Sequence, residues 1–556
     1  MFFIMENSKK SRLSLYLPII LAMVMALGVL LGLSLNVGTS TSGNDNKFRS
    51  ISFNRYDKLN DVLNYIYESY VDSISREHLT EETIKTFLRN LDPHSVYIPA
   101  SAFKDMNDPL LGSFEGIGIE FNMVNDTVVV INPISGGPSE KVGIQAGDRI
   151  VKVNGETIAG IKMSTEEIVG KLKGPKGTKV EVSVFRAGSS ELFDYTITRD
   201  KIPSYSLDIA YMIDNETGYI KLNRFSATTH QEFITAFDRL KREGLEKLIL
   251  DLRGNGGGFL DAAISLSDEF LSPGELIVYT QGNNRPKKIA NARRNGKFEN
   301  QPLVILLDEW SASASEIIAG AVQDNDRGLV IGRRSFGKGL VQEQVQLADG
   351  SAIRLTVARY YTPSGRSIQS PYDNGTDEYY DEFFQRFLDG EHESLDSIKL
   401  KDTLKYITKK GRTVYAGGGI LPDIFVPFNT EDRTAFYNQI SNRGLIYRFA
   451  FNYADKNRNT LNKYGSAADY VTKFKITNAI YDEFIEFVKE NKIKVESEKA
   501  DKSRGIIQLQ LKAYIGRNIY GNEAFYPILN TKDPVIDEAL NALKNENYEK
   551  HLSVEK

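Results

Sequence analysis

Between residues 202 and 428, short apolar strands alternate with helical segments, and this alternation constrains the fold more than any other feature of the chain. The segment GYIKLNRF, from Gly218 to Phe225, has the pattern of a strand, and a helical pattern from Thr229 to Arg242 follows it. The strand in LEKLILDLRGNGGG ends in a glycine loop, and the strand PLVILLD leads into a helix through the turn SASASE. Strands alternating with helices are typical of sheets that helices cover. The region therefore predicts an α/β core with a largely buried sheet.

The length and composition allow several domains and exclude several kinds of chemistry. The 556 residues of the chain suffice for about two to four domains with substantial cores. The 69 lysine and arginine residues are balanced by 73 aspartate and glutamate residues, and the formal net charge of -4 gives no indication of a nucleic-acid partner. Because the chain has no cysteine, disulfides, thiolate metal sites and a cysteine nucleophile are excluded.

An uncharged, mainly apolar segment near the N-terminus predicts a membrane anchor. It runs from Leu13 to Leu35, directly after the basic stretch KKSR. As a helix it would be roughly 34 Å long, enough to span a bilayer, and its basic flank should stay cytoplasmic. We predict a cytoplasmic stub and signal anchor over residues 1–38 and a flexible linker over 39–47. The remainder would lie outside the cytoplasmic membrane, anchored by this single span. The alternative is a periplasmic protein released by signal cleavage, although no clear small-x-small site follows.

The next segment, residues 48–112, predicts a helical N-terminal region. Apolar side chains recur at helical spacing between Leu59 and Tyr70, which indicates a first helix. Thr80 has the position of an N-cap for a second helix.

Residues 113–200 change to short strands joined by glycine turns, with one helix that begins near Ser164 as its N-cap. The pattern resembles a PDZ domain, and the segment SEKVGIQAGDRIVKVNG is similar to the central signature of that family. Gly118 permits close approach of the backbone, and the strand after it offers an edge for peptide addition. A β-domain without a ligand is the alternative. The resemblance implies that a peptide carboxylate is bound by the backbone amides of Gly116, Ile117, Gly118 and Ile119.

Several apparent motifs do not fit their usual functions. The segment GRRSFGKG nearly matches a phosphate-binding loop, but Gly339 occupies the position of the required hydroxyl, and a strand pattern follows instead of a helix. The segment GNGGG lacks the last glycine of GxGxxG because Phe259 stands there. The chain has neither an HExxH pair nor a GxSxG elbow. Nucleotide binding, zinc hydrolysis and the usual α/β-hydrolase route are therefore disfavoured.

Two segments within the α/β region, WSASASEIIAGA and RSFGKGLVQ, combine a serine-rich turn with a lysine between glycines. Ser311, Ser313 and Ser315 lie between a strand and a helix, where serines more often act as caps, and Ser315 has the position of a cap. Lys338 has small and apolar neighbours, so burial would lower its pKa and make it a base. An exposed turn lysine is the alternative. The pair predicts a serine nucleophile with a lysine base.

Strand geometry adds a third group to this pair. If the chain is extended after Gly337, the side chains of Lys338 and Gln342 point to the same face, and the Gln342 amide would orient the lysine. Acyl transfer also needs donors for an oxyanion. The amide of Ala314 at the start of a helix and the glycine amides of GNGGG are candidates for this role.

These segments together resemble the carboxyl-terminal processing peptidases, also called tail-specific proteases. The resemblance covers about residues 55–428 and depends on the segments LDPHSVY, LDLRGNGGG, WSASASEIIAGAVQD, RSFGKGLVQ, DGSAIRLTVARYYTPSGRSI and GGGILPDIFVP. It implies a serine peptidase core of the crotonase-like or ClpP-like type over residues 201–428, with no metal or organic cofactor. It also implies Ser313 as nucleophile, Lys338 as general base and Gln342 as the assisting residue. The oxyanion hole would use the amide of Ala314 and that of either Gly257 or Gly258.

The expected architecture is therefore a multidomain α/β (α+β) chain, in which a mixed C-terminal extension of unassigned role follows over residues 429–556. The resemblance implies an extracytoplasmic serine endopeptidase that binds protein substrates with apolar C-terminal tails through its PDZ domain and cleaves them through an acyl-enzyme. One alternative is a catalytically silent, membrane-anchored PDZ scaffold, and another is a hydrolase of small esters or amides. The sequence leaves open whether the PDZ domain gates the site, and whether the chain forms a homo-oligomer.

Overall fold

A computed structural model describes residues 57–186, 188–399 and 404–553. Two compact units divide the chain, one ending at Thr80 and the other beginning at Glu81. The predicted membrane anchor and linker lie outside the described residues. Within the described ranges, no helix combines the length and the apolar character that a membrane span requires.

Two helices open the described chain, α1 (Lys58–Ser69) and α2 (Arg76–Arg89). The predicted first helix is confirmed by α1. The prediction that Thr80 caps the second helix is wrong, because Thr80 lies inside α2 and donates its hydroxyl to the carbonyl of Arg76 at 2.8 Å. The chain continues with β1 (Val96–Ile98) and α3 (Ala100–Asn107).

The predicted β-domain follows α3, and its elements are β2 (Ser113–Gly116), β3 (Ile119–Met123), β4 (Val128–Pro133), α4 (Pro138–Val142), β5 (Arg149–Val153), β6 (Glu156–Thr157), α5 (Thr165–Leu172), β7 (Lys179–Phe185), β8 (Leu192–Thr198) and β9 (Asp200–Pro203). Its sheet has the strand order β3-β4-β5-β7-β8, with β6 beside β5. A capping box fixes the start of α5 at the predicted Ser164, which exchanges hydrogen bonds with Glu167. The first and last strands, β2 and β9, pair antiparallel, so the chain enters and leaves the domain at one place.

The predicted α/β alternation is confirmed between residues 207 and 425. Its elements are β10 (Leu207–Met212), β11 (Thr217–Leu222), α6 (Thr229–Glu243), β12 (Lys247–Asp251), α7 (Leu260–Ser267), β13 (Leu276–Gly282), β14 (Arg285–Asn291), β15 (Leu303–Leu307), α8 (Ala314–Asp324), β16 (Leu329–Gly332), β17 (Leu340–Gln346), β18 (Ala352–Tyr361), α9 (Thr376–Leu388), a 3₁₀ turn (Leu395–Ser397), β19 (Lys405–Ile407), β20 (Thr413–Tyr415) and β21 (Ile424–Phe425).

Two sheets form this core. The first has the order β10-β11-β12-β15-β16-β21, and all its neighbours are parallel except β10 and β11. Every residue of β15 is buried, as expected of a strand covered on both faces. The second sheet has the order β1-β18-β13-β14, with β17 also paired to β18. The loop before β17 contains Lys338, and the turn after β15 contains Ser313, so the two sheets deliver the two predicted catalytic residues.

The predicted mixed C-terminal extension is corrected by the structure, because its described residues after 434 form helices. The apolar positions of this region recur at helical spacing, which no strand could bury on one face. The helices are α10 (Ala435–Asn442), α11 (Leu445–Lys456), α12 (Arg458–Leu461), a 3₁₀ turn (Asn462–Tyr464), α13 (Ala467–Lys473), α14 (Asn478–Glu490), α15 (Ser497–Lys502), α16 (Arg504–Tyr520), α17 (Asn522–Asn530), α18 (Pro534–Ala542) and α19 (Asn545–Leu552).

This C-terminal region has two parts. Helices α10 to α17 enclose an apolar core of their own, with Phe484 and Leu511 fully buried. Helices α18 and α19 instead cover the six-stranded sheet, where Ile536 and Leu543 pack with Ile249 of β12. The opposite face of that sheet is covered by α6, α7 and α8. The last helices therefore complete the peptidase core.

Candidate active site

Ser313 occupies the turn between β15 and α8, in a backbone conformation that few residues adopt. Its φ of 56° and ψ of -110° place it outside the usual regions for a residue with a side chain. Such strain persists only where the surroundings impose it and is concentrated at functional sites. Ser313 is partly exposed, whereas Ala312 and Ala314 on either side are buried. The turn therefore presents one serine to solvent at the start of a helix.

The two flanking serines have structural partners. The hydroxyl of Ser311 donates to the carbonyl of Leu252 at 2.9 Å, and that of Ser315 donates to the carbonyl of Asn255 at 2.8 Å. Both carbonyls belong to the glycine loop after β12. The expectation that Ser315 caps the helix is wrong, because Ser313 has the N-cap position. The flanking serines attach the turn to the glycine loop.

Lys338 and Gln342 meet as strand geometry predicts. The Lys338 Nζ donates to the Gln342 Oε1 at 2.9 Å, and the Gln342 Nε2 donates to the carbonyl of His94. Both the amide oxygen and the amide nitrogen of Gln342 are therefore held by hydrogen bonds. His94 belongs to the segment LDPHSVY, and its contribution through a backbone carbonyl gave no signal in the sequence.

The electrostatic surroundings favour a neutral Lys338. Burial lowers the pKa of Lys338, and the charge of Arg354 lowers it further, while Asp92 and Glu316 act in the opposite direction. Burial also lowers the pKa of the His94 imidazole to about 4, with a further contribution from the charge of Lys338. His94 is thus neutral and bonded to Tyr379 through its Nε2 at 3.2 Å. Of these two groups, Lys338 is the one next to the serine turn.

The carboxylate of Glu316 joins the serine turn to the lysine loop. Its Oε2 accepts from the backbone N–H of Ser313 at 2.8 Å and from that of Lys338 at 2.9 Å. Its Oε1 accepts from the N–H of Gly337 at 2.8 Å and from the hydroxyl of Ser335 at 2.5 Å. Glu316 is fully buried, and this burial raises its pKa to about 7 against the opposing effect of these four bonds. Sequence analysis did not assign this role, although the serine and glutamate three residues apart have the spacing of a capping box.

Tyr360 of β18 makes a second link between the same two segments. Its hydroxyl is placed to donate to the carbonyl of Ser313 at 3.1 Å and to that of Lys338 at 2.6 Å. The side chain is buried, with 1% of its surface exposed. Sequence analysis did not identify this residue either, because the tyrosine has no signal apart from its place in a strand.

The glycine loop after β12 lies against the serine turn. A Cβ on Gly257, whose φ is +99°, would lie 2.8 Å from the carbonyl oxygen of Ala312 and 3.0 Å from the amide nitrogen of Ala314. The N–H of Gly257 already donates to the Asn255 Oδ1 at 2.9 Å. Gly258 forms a parallel bridge with Phe225 through the carbonyl of Gly257 and the N–H of Phe259. In such a bridge the N–H of Gly258 points away from the partner strand.

A buried ion pair supports the base of this loop. Arg253 donates to both carboxylate oxygens of Asp251, and Tyr219 donates to the same carboxylate at 2.7 Å. Burial alone would raise the pKa of Asp251, but Arg253 and Lys221 hold that pKa below its usual range. Arg253 also pairs with Asp533 at 2.7 Å, and Asp533 caps α18. The C-terminal helices therefore contact the loop that lies beside Ser313.

One cavity of about 430 Å³ brings the predicted catalytic residues together. Ser313, Lys338 and Gln342 line it with Gly257 and Gly258. Apolar side chains from α7, α8 and β17 form much of its wall, namely Leu260, Ile317, Leu340 and Val341. The arrangement combines a partly exposed serine, a partly buried lysine and backbone amides, which are the parts that acyl transfer requires.

The predicted carboxylate loop of the β-domain connects β2 to the edge strand β3. Gly116 ends β2 and Ile119 begins β3. The carbonyl of Ile117 accepts from both the N–H and the hydroxyl of Ser139, and that of Gly118 accepts from the N–H of Ile134 at 2.9 Å. The carbonyls of Ile117 and Gly118 are therefore occupied by hydrogen bonds within the domain. Gly118 has φ +73°, and a Cβ there would lie 2.9 Å from Ile202.

Comparison with family models matches three parts of the chain. Residues 216–376 match the model of peptidase family S41, and residues 116–197 match that of the PDZ domain. Residues 436–521 match a family of unknown function (DUF8443). The first two matches coincide with the α/β core and with the β-domain, and the third lies within the C-terminal helices.

Named relatives agree with these matches. A carboxy-terminal-processing protease of Bartonella bacilliformis is 37% identical over 350 residues, which are 62% of this chain and 78% of that protein. The carboxy-terminal processing protease CtpA of Bacillus subtilis is 35% identical over 360 residues, or 65% of this chain and 75% of that protein. A solved photosystem II D1 C-terminal processing protease is 33% identical, with a TM-score of 0.33, and the match covers 55% of this chain and 83% of that one.

The α/β core, its serine turn and the β-domain define a serine peptidase that carries a PDZ domain. Within that class, the chain belongs to the carboxy-terminal processing proteases of peptidase family S41.

Proposed function

We propose that this processing protease is membrane-anchored, acts outside the cytoplasm and cleaves substrates by a serine and lysine mechanism. The observation that supports the chemistry best is the shared carboxylate of Glu316, which accepts hydrogen bonds from the backbone of both Ser313 and Lys338. A single buried side chain thereby sets the distance between nucleophile and base. Positioning of the reacting groups relative to each other accounts for a large part of the rate in covalent catalysis.

In the proposed first step, the Ser313 Oγ attacks the carbonyl carbon of the scissile peptide bond while the neutral amine of Lys338 takes the hydroxyl proton. The tetrahedral intermediate collapses, the C–N bond breaks, and Lys338 gives its proton to the departing amine. Water then attacks the ester carbon while Lys338 takes a proton from it, and the Ser313 oxygen leaves with the proton that Lys338 returns. Gln342 orients the lysine through the 2.9 Å bond in both steps.

The negative charge of each tetrahedral intermediate needs two donors, and we infer that the amides of Ala314 and Gly258 supply them. The N–H of Gly257 is already used by Asn255, whereas that of Gly258 points away from Phe225. Ala314 begins α8, so the positive end of the helix adds to its N–H. Gly258 lines the same cavity as Ser313, and Ala314 follows Ser313 in the chain, so both amides belong to segments beside the nucleophile, as an oxyanion site requires.

The proposed base predicts the pH dependence of the reaction. Only the neutral form of Lys338 accepts a proton, so kcat/KM rises with pH as the ammonium deprotonates. Burial lowers the pKa of Lys338 from 10.5. The increase in kcat/KM therefore occurs at a lower pH than the deprotonation of a free lysine. A profile of kcat/KM against pH measures this, and a midpoint at the value of free lysine would contradict the neutral base.

We further propose that the PDZ domain binds the free C-terminus of protein substrates. The edge position of β3 supports strand addition, and the loop beside it has its carbonyls occupied. The partly buried apolar side chains of β3, including Ile119 and Phe121, favour apolar tails. Relatives named as carboxy-terminal processing proteases support this substrate class.

Two peptides with the same body and either a free or an amidated C-terminus test both parts of this proposal. We expect the full-length chain in mild detergent to cleave the free-tail peptide faster, and Ser313→Ala to abolish cleavage of both. Ser190→Ala, an exposed serine of the β-domain, is the matched control. Cleavage that survives Ser313→Ala contradicts the nucleophile, whereas equal cleavage of the two peptides contradicts tail recognition.

The absence of cysteine offers a direct test of location. Ser190→Cys would introduce the sole thiol of the chain at an exposed position. We expect a membrane-impermeant maleimide to label this thiol in cells whose cytoplasmic membrane is intact. Retention of the labelled chain in carbonate-washed membranes distinguishes the anchored form from a cleaved periplasmic one, and labelling only after lysis contradicts the extracytoplasmic location.

A further inference from the structure

The cavity around Ser313 has an unbalanced charge. Its lining within the described residues includes no aspartate or glutamate, and its charged side chains are those of Lys338 and Arg354. If Lys338 is neutral when it acts as a base, Arg354 is the permanent positive charge of the cavity wall. A wall of this kind favours a negatively charged group on the substrate.

The position of Arg354 follows from the pairing of β17 with β18. Gln342 lies opposite Thr356, and Gln344 lies opposite Arg354, on the same face of the two strands. Arg354 is therefore the diagonal neighbour of Gln342, and such neighbours are roughly 7–8 Å apart, within reach of long side chains. Gln342 holds the Lys338 amine, and Arg354 lines the same cavity as Ser313, Lys338 and Gln342.

The guanidinium of Arg354 has a neutral partner where a charged one would stabilise it better. It donates to the Gln344 Oε1 at 2.9 Å, and among the described residues no carboxylate lies within 4 Å of it. The side chain is partly buried, and this burial lowers its pKa. The planar fork of arginine binds carboxylates through two parallel hydrogen bonds, and such charge-assisted pairs are about twice as strong as neutral ones.

We propose that Arg354 is a specificity-determining residue that binds a carboxylate of the substrate next to the scissile bond. The carboxylate comes either from an aspartate or glutamate side chain or from a chain terminus that reaches into the cavity. Apolar side chains of the substrate would occupy the wall formed by Ile317 and Leu340. The inference rests on the proposed role of Ser313 and Lys338, because it places the carboxylate relative to them.

A competing role for Arg354 is purely electrostatic. Its charge lowers the pKa of Lys338, together with desolvation and against the charges of Asp92 and Glu316. His94, a further titratable group near the lysine, is neutral. Loss of the Arg354 charge would therefore raise the pKa of Lys338 for every substrate alike. Carboxylate binding instead predicts an effect that depends on the substrate.

Amidated peptides that differ by one residue separate these roles. A glutamate is moved one position at a time through the residues flanking the scissile bond, with glutamine at the same position as reference. A further peptide has glutamine throughout and a free terminus close to the cleavage point. All are cleaved by the full-length chain in mild detergent, at the pH plateau of each variant. We expect one carboxylate position to raise kcat/KM by about tenfold, equivalent to about 1.4 kcal/mol.

Arg354→Gln should remove this preference, and Arg354→Lys, which keeps a charge without the fork, should keep only part of it. Arg285→Gln is the matched control, because it removes the same charge from an exposed arginine of β14 outside the cavity. The proposal is overturned if the wild-type chain shows no preference, or if Arg354→Gln lowers kcat/KM equally for the glutamate and glutamine peptides. Cleavage that persists in Ser313→Ala would instead overturn the proposed mechanism.

Discussion

Different interactions stabilise the loops around Ser313 and Lys338 and the helices after residue 434. In the loops, a buried carboxylate and a buried tyrosine hydroxyl bond to the backbone of both segments. In the helices α10 to α17, apolar side chains such as Phe484 and Leu511 fill a core. Hydrogen bonds in a buried network fix individual atoms, whereas apolar packing fixes volumes.

Substitutions in the two regions should therefore have different effects. A change in the loops should affect activity before it affects folding, because a displacement of about 1 Å can cost about 100-fold in rate. A change in the helical core should reduce the stability of the fold, but the molecules that remain folded should have unchanged catalytic activity. Substitutions in each region therefore test this separation.

Glu316→Ala should have the largest effect. It removes the carboxylate that accepts hydrogen bonds from the N–H groups of Ser313, Gly337 and Lys338 and from the Ser335 hydroxyl. The segments of the nucleophile and the base are then no longer joined by a shared acceptor. We expect kcat/KM to fall by about 1000-fold, because two reacting groups are misplaced at once. Steady-state kinetics on a free-tail peptide, with circular dichroism to confirm folding, measure the loss.

Two further variants sharpen this result. Glu316→Gln keeps one carbonyl oxygen as an acceptor and should lose less activity than the alanine variant. Glu343→Ala removes an exposed carboxylate of β17, paired with Arg285, and should retain wild-type kinetics. A folded Glu316→Ala enzyme with wild-type activity would show that the shared carboxylate does not position the site.

Phe484→Ala should have the next largest effect, and on stability rather than on chemistry. Phe484 is fully buried in α14 and meets the ring of Phe449 edge-on at 5.3 Å. Its truncation should reduce the free energy of unfolding of the helical region by about 3–5 kcal/mol. Denaturant unfolding measures the change, and Asp482→Ala, exposed on the same helix, is the control. A large loss of kcat in Phe484→Ala below its unfolding transition would contradict the separation of the two regions.

Gly257→Ala should reduce activity by about 100-fold without unfolding the chain. The added methyl group would lie 2.8 Å from the Cβ of Ser313, and the φ of +99° disfavours any side chain. Gly254→Ala in the same loop is the matched control, because its φ is also positive but no atom lies within 4 Å of the added carbon. Equal losses in the two variants would assign the effect to backbone strain and not to the contact with Ser313.

Much of this arrangement was predictable because its signals are local. The strand and helix alternation, the N-cap at Ser164 and the pair of Lys338 and Gln342 depend on spacing within a few residues. The roles of Glu316 and Tyr360 depend on contacts with segments about twenty or more residues away, which spacing does not encode. The error at Ser315 has a physical cause, since the strained turn places Ser313 at the helix start and directs Ser315 to the glycine loop.

For the helices after residue 434, the sequence indicates the helices themselves but not how they pack. Individual amphipathic helices are indicated by their periodicity, as at Ile536 and Leu543. Their packing onto the six-stranded sheet is not, because apolar side chains have no pairing preference strong enough to name a partner. The sequence therefore predicts only a mixed region, whereas its described residues are helical.

Asp533→Asn should have the smallest effect, and it tests a polar contact that joins the C-terminal helices to the glycine loop. The asparagine side chain would still cap α18, but without a charge it no longer attracts Arg253, which keeps its bonds to Asp251. Since the side chains of Arg253 and Asp533 are 17% and 22% exposed, we expect only about a two- to fivefold fall in kcat, with KM unchanged. Lys532→Gln, next to it in the chain, is the charge control. A loss above tenfold would mean that the C-terminal helices position the oxyanion loop, and the separation between apolar scaffold and polar site would then fail at this contact.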